Sequence, residues 1–270
     1  MTILRFLAYA HANHLSPASI RVYLSGLHSL HQLNGYPAPD MGSYRIKMAL
    51  RAIKDRGQKP SQCLPLTFQL IQFIVPNLLG ELNGELYAAM ICFGFFEALR
   101  GAEYAGTYTN DEHLQAPTLD QVQFVRHNQE LALIFTILQS KTKCQPVSVP
   151  MGCSGTPICA VCLLVRHLQI RAAVTSLHPK SYLFAFPDGR PVTKAQYNAV
   201  IKAQVRKLGL SDTGYSTHSL RAGAATTASA AGLSGEHIQA LGHWSSNAYQ
   251  TYVQHDFSTK FAYSRKLAGL

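Results

Sequence analysis

The sequence predicts an α+β fold that is mainly α with a small antiparallel β-sheet, divided into two domains. Apolar residues recur at helical spacing through most of the 270-residue chain. Three consecutive runs rich in Val, Ile, Leu and Phe, at residues 120–126, 131–138 and 145–150, predict three short strands. The stretch 57–61, Gly-Gln-Lys-Pro-Ser, combines turn-forming residues with a change of composition behind it, which predicts a linker.

The first domain, about residues 1–58, is predicted to be a small helical domain. Ser16 is a suitable N-cap, and Pro17 lacks an N–H group that would be unsatisfied in the first helical turn anyway. Asn34 and Gly35 are typical of a helix end. A first helix is therefore predicted between these two signals.

A second helix is predicted over about 43–56. Its apolar face carries Ile46, Ala49, Leu50 and Ile53. Its other face carries the basic residues Arg45, Lys47, Arg51, Lys54 and Arg56. Because Asp55 is the only acidic residue among them, we predict that this face contacts phosphate; a merely solvated face is the alternative.

The second domain, about 62–270, is predicted to hold the sheet and most of the helices. Its strands are separated by turns at His127-Asn128 and at Lys141-Thr-Lys143. Helices are predicted by period at 67–79, 85–99, 158–174, 193–208, 218–231, 235–241 and 246–254.

The charge composition favours a polyanionic partner. The formal net charge is +10, although only 14% of residues are charged and 47% are hydrophobic. This composition excludes a disordered chain, and the uncompensated surplus favours nucleic acid, with an anionic membrane surface as the alternative. Residues 1–60 and 136–270 are basic and residues 61–135 are acidic. The longest apolar run, Leu86–Phe96, is too short to span a bilayer, so no membrane partner is predicted.

The six cysteines predict no metal site. Cys159-Ala-Val-Cys162 is the one close pair, and a structural zinc site needs a second pair, for which Cys153 with His167 is a poor substitute. Buried thiols beside a helix are the preferred interpretation, in a protein of a reducing compartment.

Three local motifs point to phosphate chemistry. His218 and Arg221 share a face at a predicted helix start, where free N–H groups would also attract an anion. Gly242-His243-Trp244 follows, and then Tyr249 and Tyr252. Taken singly, each motif has an ordinary explanation as a surface pair, a packed tryptophan or core tyrosines.

Taken in order, the motifs resemble the C-terminal signature of the tyrosine recombinases, or lambda-type phage integrases. The series His218-x-x-Arg221, Gly-His243-Trp, and a tyrosine nine residues later at Tyr252 is similar to that signature. Leu-Arg100-x-x-Glu103 resembles the upstream arginine motif of the family, and Gln-Ser-Lys141-Thr lies where the family has a lysine in a hairpin. The stretch 15–27 and the Gly-His-Trp variant further resemble Crypton-like recombinases of eukaryotic mobile elements.

The resemblance implies a two-domain DNA clamp, a helical core-binding domain plus a catalytic domain, and it assigns roles to named residues. It implies that Tyr252 attacks a scissile DNA phosphate to give a 3′-phosphotyrosyl link, with His218 moving the proton. The other implied catalytic residues are the two phosphate-clamping arginines, a general-acid lysine and a histidine that hydrogen-bonds phosphate: Arg100, Arg221, Lys141 and His243. Glu103 and Trp244 are implied to support them. No metal or cofactor is required.

Two assignments stay open within this resemblance. Lys143 lies two residues from Lys141 and could be the general acid or a DNA contact. Tyr249 faces the same way as Tyr252 on a helix, but only Tyr252 has the family spacing. The first domain is short for the family, as though a first helix were missing.

The implied partners are double-stranded DNA, held between two basic surfaces, and further copies of the chain. The family pattern implies a homo-tetramer on paired sites, monomeric or weakly associated without DNA, in which residues 255–270 dock on a neighbour or pack on their own domain. The eukaryotic resemblance implies a nuclear location. The rival interpretations are type IB topoisomerase-like relaxation of DNA, and a domesticated DNA-binding protein without strand exchange.

Overall fold

The computed structural model describes residues 3–56, 63–109, 112–138 and 145–254. The chain divides into two units, Met1–Gln62 and Cys63–Leu270. The predicted linker lies outside the described residues.

The first unit consists of three helices, α1 (Ile3–Ala12), α2 (Pro17–Leu33) and α3 (Tyr44–Arg56). The predicted start of α2 is confirmed, because the Ser16 side chain accepts a hydrogen bond from the Ser19 N–H at 3.0 Å. Their apolar faces bury one small cluster: Leu7, Ala10, Ile20, Leu24, Ile46 and Ile53.

Helix α1 is an element that the sequence analysis did not predict; the shortness of the domain relative to the family stays a prediction. The sequence Ile-Leu-Arg-Phe-Leu-Ala-Tyr-Ala-His-Ala has no acidic residue in its first turn. Its main sequence signal is therefore its apolar spacing. Packing of Leu7 and Ala10 into the cluster stabilises it.

The second unit is mainly helical, which confirms the predicted fold class. Its helices are α4 (Phe68–Leu79), α5 (Gly84–Phe96), α6 (Gly101–Tyr104), α7 (Ala160–Ala172), α8 (Lys194–Lys207), α9 (Thr217–Ala230) and α10 (Gly235–Leu241). The helix predicted over 246–254 is wrong in type, since this segment forms a short 3₁₀ helix, Asn247–Thr251. None of the helices that the structure describes is long and apolar enough to cross a membrane.

The strands form two antiparallel sheets. A two-stranded sheet that the sequence did not predict pairs β1 (Thr107–Tyr108) with β2 (Leu114–Gln115). The predicted three-stranded sheet is confirmed, with β3 (Val122–His127), β4 (Glu130–Ile137) and β5 (Val147–Gly152) in that order. Asn128 and Gln129 both have positive φ and so make the tight β3–β4 turn.

Helix α5 is the centre of the second unit. It is hydrophobic on all sides, and ten of its 13 residues are buried. Such a helix must be surrounded by other elements. It packs against α4, α7 and α9, so the loop that follows its end lies beside α9.

Candidate active site

Arg100 is presented by the sharp end of α5. The Leu99 N–H donates to the Gly94 carbonyl and the Ala98 N–H to the Phe95 carbonyl, with Ala98 in the left-handed region at φ 46°. This is the Schellman arrangement, in which glycine is the usual residue. It turns the chain so that Arg100 immediately begins α6.

Glu103 fixes the backbone and the guanidinium of Arg100 together. Its carboxylate accepts from the Arg100 N–H at 2.8 Å and from Arg100 Nη1 at 2.9 Å. The Glu103 side chain is 5% exposed, whereas that of Arg100 is 23% exposed. Glu103 therefore holds an arginine that remains accessible to an anion.

Arg221, on α9, is buried, with only 1% of its surface exposed. Its guanidinium donates to the carbonyls of Ala98 and Gly242, the latter at 2.7 Å. It therefore ties the end of α5 to the end of α10. Burial, followed by the charge of Arg100, lowers the pKa of Arg221 to about 10, so it is a cation at neutral pH.

The Gly242–Trp244 turn covers Arg221. The Arg221 guanidinium carbon lies 3.9 Å from the centre of the Trp244 ring, a cation–π contact. Gly242 leaves no room for a Cβ, because the same ring packs against it. His243 stands between them with φ 53°, a left-handed conformation that the tight turn requires.

Tyr252 meets His218 beside this turn. Tyr252 Oη lies 3.2 Å from His218 Nε2, and the two rings are in edge-to-face contact. The Tyr252 ring also lies 5.8 Å from that of Trp244. The Tyr252 carbonyl accepts from Thr226 Oγ1 at 3.2 Å, so the tyrosine is anchored on α9 of its own chain.

The hydroxyl of Tyr249 points elsewhere. It packs against Gly235 at the start of α10, where an added Cβ would overlap it. Of these two tyrosines, Tyr252 is thus the one with its hydroxyl at His218. The geometry favours Tyr252 as the nucleophile, as the family spacing does.

The start of α9 corrects the expectation that its N–H groups are free to attract an anion. His218 is exposed and Arg221 is buried, although both side chains contact Tyr252. The N–H groups are also occupied: that of Thr217 donates to Asn198 Oδ1 at 2.7 Å, and that of His218 to Ser216 Oγ at 3.2 Å. An anion would meet side chains here instead of free helix amides.

Comparison with known families decides what this site is. Residues 118–259, more than half of the chain, match the family model "Phage integrase family". The chain belongs to the phage integrase family. By family it is a tyrosine recombinase, which confirms the resemblance found in the motifs; the narrower Crypton-like resemblance stays a prediction.

Solved structures show the same fold as this integrase-family chain. The Tn1549 transposon integrase in complex with transposon right-end DNA has a TM-score of 0.63 at 16% identity, over 98% of this chain and 84% of the other. XerH recombinase bound to a palindromic difH substrate, a post-cleavage complex, has 0.65 at 18%, over 100% and 71%. A lambda integrase dimer bound to a COC′ core site has 0.55 at 14%, over 94% and 65%. No curated protein matches the sequence.

The remaining predicted residues of this integrase fall into two groups. Lys141 and Lys143 lie outside the described residues. In the first unit, Arg45, Lys47, Arg51 and Lys54 are exposed on α3, and the structure describes no side chain for Arg56. A groove of ≈ 490 Å³ is lined by Arg21, Lys47, Leu50, Arg51, Lys54 and Asp55. Arg21 is a basic residue of this groove that the sequence analysis did not include.

Glu97 is a further feature of the integrase site that the sequence did not indicate. It caps the C-terminal end of α5, one residue before Ala98, and its burial raises the pKa of its carboxyl to about 8. At neutral pH the folded protein therefore holds this carboxyl mostly protonated.

We expect Glu97→Gln to remove a pH-dependent loss of stability. The unfolded chain releases this proton near pH 4.5, whereas the folded protein retains it to about pH 8. Raising the pH through this window therefore favours unfolding, by up to about 5 kcal/mol. Urea unfolding at about pH 5 and about pH 8 should show a smaller decline for Glu97→Gln than for wild type. Equal declines would contradict a buried, protonated Glu97.

Proposed function

We propose that this protein is a site-specific recombinase that cuts and rejoins double-stranded DNA through a 3′-phosphotyrosyl intermediate. The single observation that carries the proposal is the 3.2 Å separation of Tyr252 Oη and His218 Nε2, next to two arginines. This is the distance at which a base activates a nucleophile. Membership of the phage integrase family supports a DNA phosphodiester as the group that the tyrosine attacks.

The proposed step breaks one bond for each that it forms. Tyr252 Oη attacks the phosphorus and gives its proton to His218 Nε2. The bond between phosphorus and the 5′-oxygen breaks, and that oxygen takes up a proton to become a free 5′-hydroxyl. Because the link to tyrosine is also a phosphodiester, attack by a 5′-hydroxyl reverses the step without ATP.

The two arginines would act differently on the phosphate. Arg100, partly exposed and oriented by Glu103, would bind the non-bridging oxygens directly. Arg221 would add positive charge from below, and it holds the turn that carries His243 and Trp244. Charge in a site of low dielectric stabilises the extra negative charge of the pentavalent state without a metal ion.

Lys141 is proposed as the general acid for the leaving 5′-oxygen. A cavity of ≈ 640 Å³ is lined by both Glu103 and Leu138. Leu138 is three residues before Lys141, and an extended chain spans about 3.5 Å per residue. Glu103, which orients Arg100, and the residue after β4 thus line one cavity, which supports Lys141 as the acid. Lys143 remains the alternative acid.

The proposed partners are duplex DNA and further copies of the chain. The solved relatives named above are bound to DNA, which supports DNA as the ligand. Exposed cations on α3 would contact its backbone. Strand exchange between two sites needs several nucleophiles, and we propose a homo-tetramer assembled on paired sites, with nuclear location if the source is eukaryotic.

We expect His218→Gln to slow DNA cleavage by about 10²- to 10⁴-fold, the usual contribution of a general base. Glutamine keeps a polar side chain at this exposed position but accepts no proton. The rate of covalent adduct formation on nicked duplex DNA measures the effect. The matched control is His237→Gln, an exposed histidine bonded to Ser234, which should cleave normally; a normal rate for His218→Gln would contradict its role.

We expect the triple change Lys47→Ala, Arg51→Ala and Lys54→Ala to weaken DNA binding at all sequences alike. Three lost phosphate contacts would lower the slope of log affinity against log salt by about 3. Titrations at several salt concentrations measure the slope. A charge-matched control changes three cations that already have acidic partners, Lys180, Arg190 and Lys207. Equal slopes for the two triple variants would contradict a DNA contact on α3.

One experiment tests the proposed function without knowledge of the target site. The protein is incubated, without magnesium, with nicked duplexes of randomised sequence, and DNA that stays protein-bound in detergent is sequenced. Recovery of a defined sequence, followed by exchange between two copies of it, supports a site-specific recombinase. Relaxation of any supercoiled plasmid without exchange would instead indicate topoisomerase-like activity, and binding without adduct a domesticated DNA-binding protein.

A further inference from the structure

Three cysteine side chains converge between the end of β5 and the start of α7. Cys153 Sγ lies 3.3 Å from Cys162 Sγ and 3.5 Å from Cys159 Sγ. All three sulfur atoms lie within 4.8 Å of one another. The sequence analysis identified Cys159 and Cys162 as a pair and set aside Cys153 with His167; the fold brings Cys153 to that pair.

The surroundings of Cys159 suit a thiolate. Its sulfur accepts hydrogen bonds from the backbone N–H groups of Ser154, at 3.3 Å, and of Cys162, at 3.5 Å. Cys159 is fully buried, while Cys162 is exposed and Cys153 half-buried. Backbone donors that point at sulfur are the outer contacts that orient a metal-bound cysteine. The open side at Cys162 gives a cation a way in.

The spacing of the sulfur atoms suits a tetrahedral zinc ion. Zinc–sulfur bonds of about 2.3 Å place the sulfur atoms of a tetrahedral site about 3.8 Å apart. The two separations above need to open by only a few tenths of an ångström. A disulfide needs one pair at about 2.05 Å and leaves the third thiol unused. His167, the other ligand considered from the sequence, stacks on Phe184 instead.

We propose that Cys153, Cys159 and Cys162 bind a zinc ion that fastens β5 to α7. The three thiols release their protons as they bind the ion as thiolates, and water or a further side chain completes the tetrahedron. Bridging these residues closes the loop that leads from the sheet into α7. The site is structural: it lies at the C-terminal end of β5, and the proposed recombination chemistry does not use it.

The proposal is tested by metal binding under reducing conditions. Refolding or exchange with Co²⁺ should give visible d–d absorption and a near-ultraviolet thiolate-to-cobalt band, both displaced by one equivalent of Zn²⁺. We expect a serine at any one of the three positions to weaken Zn²⁺ binding by roughly 100-fold or more: Cys153→Ser, Cys159→Ser or Cys162→Ser. Loss of a residue that only hydrogen-bonds to a metal ligand costs up to about 100-fold, and loss of the ligand itself should cost at least as much. Cys63→Ser, which changes a free thiol outside the cluster, should bind normally.

A second measurement needs no variant and so does not depend on the folding of one. Zn²⁺ should protect Cys153, Cys159 and Cys162 of the wild-type protein from iodoacetamide, read by mass spectrometry, and leave Cys63 reactive. Equal alkylation with and without Zn²⁺, or a Cys153–Cys162 disulfide with no cobalt spectrum after reduction, would overturn the proposal.

Discussion

We expect Tyr252→Phe to abolish the covalent protein–DNA adduct, with a fall in cleavage rate of at least roughly 10⁴-fold, as for loss of other enzyme nucleophiles. Phenylalanine keeps the ring that packs against His218 and Trp244. It removes only the oxygen that would attack phosphorus. DNA affinity should stay close to that of wild type, because the phosphate-binding cations are unchanged.

The matched control for this variant is Tyr249→Phe. Tyr249 is half-buried like Tyr252 and contacts the same tryptophan, but its hydroxyl packs against Gly235. We expect this variant to cleave at the wild-type rate. Thermal unfolding of both variants would show any loss of stability, expected at about 1 kcal/mol for one lost hydrogen bond. If Tyr252→Phe formed the adduct and Tyr249→Phe did not, Tyr249 would be the nucleophile and the assignment of Tyr252 would be wrong.

We expect Arg221→Lys to lose both stability and cleavage. A lysine ammonium lacks the planar fork that reaches two carbonyls and stacks on a ring. The carbonyls of Ala98 and Gly242 would lose a donor, at a cost of about 1–3 kcal/mol each when buried. Displacement of the Gly242–Trp244 turn should also slow cleavage by about 10³-fold, within the range for loss of one transition-state donor. Urea unfolding and adduct formation measure the two effects.

Arg171→Lys separates stability from catalysis. Arg171 is likewise buried, at 2% exposure, and its Nη1 donates to the carbonyls of Tyr182 and Leu183. It lies on α7, and within the described part of the chain its hydrogen bonds go to neither Tyr252 nor any other predicted catalytic residue. We expect it to lose a similar amount of stability but to cleave normally per folded molecule. If both variants lost cleavage only in proportion to unfolding, Arg221 would be structural alone.

The predictable part of the fold was marked by local signals. Ser16 and Pro17 predicted the start of α2, and runs rich in β-branched residues predicted the three-stranded sheet. Both signals are readable because capping and hydrophobic periodicity depend on residues that are close in sequence. Helix α1 had the period but no acidic residue in its first turn, and β1 and β2 are two residues each. Elements that are fixed mainly by packing leave little trace in local sequence.

Among the described residues, the sequence motifs predicted which side chains come together but not how deeply each is buried. Helical spacing placed His218 and Arg221 together, yet α9 is buried on nearly all sides, so Arg221 faces backbone carbonyls while His218 faces outward. Asn198, nineteen residues before Thr217 in sequence, occupies a helix amide that would otherwise attract phosphate. Both facts depend on tertiary neighbours that spacing does not encode. The same holds for Cys153, which joins Cys159 and Cys162 only in three dimensions.

The attachment site of the DNA tests the central proposal most directly. Adduct formed on nicked duplex DNA is digested with nuclease and trypsin, and the nucleotide-bearing peptide is sequenced by tandem mass spectrometry. Trypsin releases residues 222–260 as one peptide containing both Tyr249 and Tyr252, and fragmentation separates the two. We expect a 3′-phosphonucleotide on Tyr252. A nucleotide on Tyr249 or on any other residue, or no adduct with any sequence of a randomised library, would contradict the proposed mechanism.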